Sequence, residues 1–136
     1  MNLVSQSLSG LPSFLMYFGL GLALLGSFLA LYGWVTPYEE RALIREGNVA
    51  AAISLSGAIL GFVLPLASAI AHSVGVADMV VWGLVALVVQ VAVYFVVSRT
   101  MPHFAQAIRE GRIAAATLLA ALSVGVGVLN AACMTY

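Results

Sequence analysis

The sequence predicts an all-α integral membrane fold of four transmembrane helices, built as two copies of one two-helix unit. Three observations carry this. Of the 136 residues, 63% are apolar and only ten carry a formal charge, far below the quarter usual for a soluble domain. Four stretches reach the roughly 20 apolar residues that a spanning helix needs. A sequence block also recurs 64 residues downstream of itself.

The four stretches are Phe14 to Val35, Val49 to Ala71, Met79 to Ser98, and Ile113 to Met134. None has the polar face that a helix of a soluble protein turns toward water. Ahead of the first, Met1 to Pro12 lacks the basic residues of a signal peptide, and the apolar run is too long for its hydrophobic region, so a permanent helix is expected. All five arginines, Arg41, Arg45, Arg99, Arg109 and Arg112, fall in the connections after the first and third stretches. Such an excess marks the cytoplasmic side, so both termini are expected outside, in the periplasm of an inner-membrane protein.

The repeat is read from Ile44-Arg45-Glu46-Gly47, which returns as Ile108-Arg109-Glu110-Gly111. From Leu43 to Ala67, ten of 25 positions are identical at this offset. Thr36 is matched by Thr100 at the same spacing. The first unit is placed at residues 14–71 and the second at 79–136. A unit with two spans repeats in the same orientation, so the halves should be parallel repeats about an axis along the membrane normal.

Helices in lipid associate through close backbone approach, which small residues permit. Gly57 and Gly61 in the second span, and Ala121 and Gly125 at the equivalent positions of the fourth, are therefore the expected packing residues. The first and third spans are bulkier, with Phe14, Phe18, Phe28, Trp82, Tyr94 and Phe95, and should lie outside, anchored at the interface by Trp34, Tyr17 and Tyr32. Each charged connection runs from a proline to a glycine, Pro37 to Gly47 and Pro102 to Gly111, as helices bounded by these residues do. Leu43, Ile44, Phe104 and Ile108 give both an apolar side, which predicts short interfacial helices. Asn48 is placed to cap the second span. Arg45, Glu46, Arg109 and Glu110 then form a cytoplasmic face, read either as a docking surface or pore mouth, or as a solvated loop that fixes topology.

No span carries an ionisable group near its middle, as proton-coupled pumps usually do. Gln90 lies at mid-membrane and must find a partner; Ser123 stands at the same depth. With Asn130 these residues either line a polar path or make interhelical hydrogen bonds. Pro65 frees a backbone carbonyl in the second span, marking either a tolerated kink or a binding site. His72 and Asp78 lack metal-ligand spacing, and Cys133 has no partner cysteine. No nucleophile motif or phosphate loop is present. Neither an enzyme, nor a cofactor, nor a metal is expected, and a net charge of zero argues against nucleic acid.

The residues Thr36-Pro37-x-x-Glu40, Leu43-Ile44, Gly47-Asn48, Ala50-Ala51, Gly57, Leu60-Gly61, Pro65-Leu66, Ser68-Ala69 and the run Asn130-Ala-Ala-Cys-Met-Thr135 resemble the DUF350 family of YjfL-like small bacterial inner-membrane proteins. The resemblance covers the chain from about Tyr17 onward. It implies paired two-helix units in the membrane, and an association with membrane-stress proteins and polyamine-related enzymes, without assigning catalytic residues. Two functions stay open. One is a small oligomeric channel or permease for ions or small solutes; because four helices cannot enclose a wide pore, the pore would lie between copies of the chain. The other is a membrane scaffold that recruits a cytoplasmic protein partner. Gln90, Ser123 and Asn130 discriminate them: pointing toward an oligomer axis they favour the channel, and sealed inside the protomer they favour the scaffold.

Overall fold

A computed structural model describes residues 2–134. Thr135 and Tyr136, the end of the second expected unit, lie outside the described residues. The described chain is helical throughout: α1 (Leu3–Leu8), α2 (Leu11–Val35), α3 (Glu40–Arg45), α4 (Val49–His72), α5 (Val76–Thr100), α6 (Phe104–Arg109) and α7 (Ile113–Cys133). The stretch Leu3–Val35, with α4, α5 and α7, supplies four helical segments long and apolar enough to cross a membrane.

Helix boundaries follow local chemistry. Asn48 caps α4, its side chain accepting from the Ala51 N–H at 2.9 Å, which satisfies one of the donors every helix start leaves unpaired. Gly47 and Gly111 close α3 and α6 at φ of 85° and 76°, a left-handed conformation that glycine adopts without steric cost. The two short helices are briefer than the proline-to-glycine segments suggested. Thr36 to Tyr38 form a bend and Glu39 is extended before α3, and His103 takes φ 59° before α6. Tyr38 in the bend and Glu40 at the start of α3 are both buried.

The helix α4 is the hub, packed against α7, α5 and α2, while α5 also touches α7 and α2. Its buried face carries Ala50, Ala51, Ser54, Gly57, Ala58 and Gly61. The partner helix α7 comes so close that a Cβ on Gly57 would collide with Ala120, and one on Gly127 would collide with the Gly61 backbone. This is the close approach that small residues make possible in lipid. The face of α7 that meets α4 differs from the one the repeat indicates. Ala120, Ser123 and Gly127 point inward, whereas Ala121 and Gly125 are exposed, with nothing within 4 Å of a Cβ at Gly125.

The two charged connections meet at one end of the molecule. Asn48 donates from Nδ2 to the Ile108 carbonyl at 2.8 Å, and Arg109 donates to the Pro37 carbonyl at 2.7 Å. Phe104 and Ile108 turn into the protein, 2% and 0% exposed, leaving the arginines outside.

This packing makes the two α7 glycines unequal. Gly127→Val should lower stability by about 1–3 kcal/mol through forced overpacking, whereas Gly125→Ala should leave it nearly unchanged. Thermal unfolding of the two purified variants in one detergent checks the contrast.

Candidate functional site

Two polar centres lie within the helical body. The first sits where α4, α5 and α7 converge. Proline has no N–H, so Pro65 leaves the Gly61 carbonyl, four residues earlier, without its helical donor. Gln90 supplies one: its Nε2 donates at 3.0 Å to the Gly61 carbonyl and at 3.0 Å to the Ser123 carbonyl. Gly61 is required for this, since a Cβ there would stand 2.7 Å from both polar atoms of the Gln90 amide. Gln90 and Ser123 are each 1% exposed. They are thus brought together, but through the Ser123 backbone and deep inside the protomer. Asn130, two turns further along α7, is half-buried, and its Nδ2 has no hydrogen-bond partner among the described residues.

The second centre lies at the charged end, beneath the two short helices. Tyr32 from α2, Tyr38 and Glu40 from the first connection, and Tyr94 from α5 are 1%, 3%, 8% and 3% exposed. The rings of Tyr32 and Tyr94 meet edge-on at 5.5 Å, and Phe104 packs against Tyr94 at 6.1 Å. The Tyr38 and Tyr94 hydroxyls face one another without the geometry of a well-formed hydrogen bond. The Tyr32 and Tyr38 hydroxyls and Glu40 Oε1 are buried with no hydrogen-bond partner among the described residues. Burial pushes the Glu40 carboxyl up to about 7, opposed only in part by the Thr36 hydroxyl. Burial also raises Tyr38, with further contributions from its tyrosine neighbours and Glu40. Two clefts border the centre. One, of about 530 Å³, is lined by Tyr94, Arg99, His103, Phe104 and Arg109 among others. The other, of about 520 Å³, is lined by Tyr38, Glu39, Glu40, Arg41 and Arg45 among others.

Arg45, Glu46, Arg109 and Glu110 are exposed at this end, and Glu110 pairs with Arg112 at 3.0 Å. At the other end, His72 and Asp78 are used locally: the His72 ring bonds Ser68, and Asp78 accepts from the Val74 N–H. Among the described residues no three His, Cys, Asp or Glu side chains are grouped to hold a metal ion.

In the sequence Glu40 stands out only as part of the family motif Thr36-Pro37-x-x-Glu40 and Tyr32 only as an interface anchor, and Tyr38 does not stand out at all. A signal was available in the repeat: at the 64-residue offset Glu40 aligns with Phe104. Each opens its short helix and each is buried, so one half places a carboxylate where the other places a phenyl ring.

Four apolar helices with almost no chain outside them define a multi-pass membrane protein. The family model for the Domain of Unknown Function DUF350 matches residues 6–134, and the chain belongs to that family. It is 38% identical over 129 residues to the UPF0719 inner membrane protein YjfL of Escherichia coli K12, covering 95% of this chain and 98% of that one. It is 28% identical over 118 residues to the UPF0719 transmembrane protein YshE of Bacillus subtilis 168, covering 85% and 88%. No solved structure matches. A multi-pass inner-membrane protein is the description these relatives and the four helices support together.

The Gln90 and Pro65 roles are testable as a pair. Gln90→Leu should cost about 1–2 kcal/mol, the scale of an interhelical hydrogen bond in a membrane. Pro65→Ala returns an N–H to the Gly61 carbonyl, so in that background the cost of Gln90→Leu should shrink. A double-mutant cycle on detergent unfolding measures the coupling.

Proposed function

We propose that the protein is a small oligomeric channel or permease for ions or small solutes, lying in the inner membrane with its charged end in the cytoplasm. The observation that carries this reading is the buried carboxylate of Glu40 among tyrosine hydroxyls, between two clefts at the charged end. An anchor gains nothing from a desolvated carboxylate, which costs several kcal/mol unless partnered; an ion pathway needs oxygen groups that take the place of water around the ion. The protomer interior is closed at the Gln90 junction, so the route lies between copies of the chain. The outward face of α7, with exposed Thr117, Ala121 and Gly125, is a surface of small residues on which a second spanning helix packs closely.

The second reading is a membrane scaffold that recruits a cytoplasmic partner through Arg45, Glu46, Arg109 and Glu110. It is supported by the sealed positions of Gln90 and Ser123 inside the protomer. Flux of ions and small solutes into liposomes decides between the two. Conduction predicts flux above empty liposomes, reduced several-fold by Gly125→Leu on the outward face and unchanged by Arg45→Gln. Absence of flux under every gradient and voltage contradicts conduction and favours the scaffold.

A further inference from the structure

Glu40 poses a physical problem. A carboxylate removed from water is normally paired with a cation or fully hydrogen-bonded. Among the described residues Oε1 has no hydrogen-bond partner, and no arginine forms an ion pair with Glu40. Arg109, the nearest cation on α6, donates to the Pro37 carbonyl and acts on Tyr94; Arg41 and Arg45 are exposed in the neighbouring cleft. Two tyrosine hydroxyls beside the carboxylate are equally unpartnered. Phe104, the counterpart of Glu40 at the 64-residue offset, opens the other short helix with a buried apolar ring where the first has a buried carboxylate.

The unpartnered atoms share one chemistry. All are oxygen, one carries a single negative charge, and the others are phenolic. Oxygen donors suit hard cations, and charge then chooses among them. A divalent ion would leave a charge uncompensated beside one carboxylate, and an anion would be repelled by it. The rings of Tyr32 and Tyr94 are engaged in ring-to-ring packing, Phe28 on Tyr32 and Tyr32 on Tyr94, each pair at 5.5 Å, and it is the hydroxyls of Tyr32 and Tyr38 that have no hydrogen-bond partner among the described residues.

We propose that Glu40, with Tyr32, Tyr38 and Tyr94, forms a binding site for a small inorganic monovalent cation. The cation enters from a bordering cleft and the carboxyl proton leaves by the same opening, so the charge of the site is the same before and after. Desolvation holds the free carboxyl near pH 7. Below that value proton and cation compete, and affinity falls about tenfold per pH unit; above it, affinity is level. The charged and titratable neighbours are Tyr32 on α2, Tyr38 in the first connection, Tyr94 on α5 and Arg109 on α6, with Glu39, Arg41, Arg45, Arg99 and His103 on the cleft rims. The site deepens the conduction reading and rests on it only for transit: binding is measured without vesicles, so each fails separately.

The experiment titrates NaCl or KCl, against choline chloride, into the full-length protein in detergent at pH 6, with a pH indicator in weak buffer. Saturable release of about one proton per chain is expected with an alkali cation, together with loss of the protonated-carboxyl band in the infrared difference spectrum. Choline gives neither. Glu40→Gln, close in shape, abolishes both signals; Tyr38→Phe keeps the release but raises the half-saturating concentration; Asp78→Asn, at the opposite end of the molecule, changes nothing. Release that is equal with choline or equal in Glu40→Gln overturns the site. So does a wild-type infrared spectrum in which the carboxyl band survives saturating cation, a result that requires no variant to fold.

Discussion

The carbonyl of Gly61, stripped of its helical donor by Pro65, is the constraint around which the helices are arranged. In lipid no water can take that donor's place, so another helix must supply an N–H, and Gln90 on α5 does. Its amide enters only because residue 61 is glycine, and its second bond runs to the Ser123 carbonyl. The contact therefore fixes three helices at once: α5 against α4, α7 against both, and the rotation of α7 about its own axis. Gly127 lies flat on Gly61 in consequence, and Ala121 and Gly125 are turned outward. A polar junction at mid-membrane serves here as a closure, sealed to 1% exposure.

Closing the middle transfers the chemistry to the charged end. Asn48 caps α4 while holding the carbonyl end of α6, and Arg109 reaches back to Pro37. These long-range bonds bring the two connections together over Tyr32, Tyr38, Glu40 and Tyr94. The two halves of the chain differ most tellingly there. Starting 64 residues apart, α3 and α6 have the same length and end in the same left-handed glycine. One begins on a buried acid and the other on a buried phenyl ring.

Much of this architecture is legible in the sequence alone. Composition and length mark the four spans because lipid imposes both, and the cap at Asn48 follows from local hydrogen bonding. Pro65, Gly61, Gln90 and Ser123 each stand out singly. Joining them needs the relative rotation of three helices, which no periodicity within one helix contains. For the same reason the repeat points to Ala121 and Gly125 at the internal contact: it shows equivalent positions, whereas the contact depends on which face of α7 the Gln90 amide captures. Glu40 is inconspicuous because a glutamate in an arginine-bearing loop looks solvated. Its place in the family motif and its alignment with Phe104 carry the contrary sign.

The central claim is that the helical interior is closed at Gln90 and that ion binding belongs to the tyrosine–glutamate centre at the charged end. Anomalous scattering from crystals of the purified protein grown above neutral pH with rubidium or thallium(I) tests both halves together. The account predicts a peak beside the Glu40 carboxylate, within reach of the tyrosine hydroxyls, and none between Gln90 and Ser123. A peak at the Gln90 level, or none beside Glu40 at saturating cation, would contradict it.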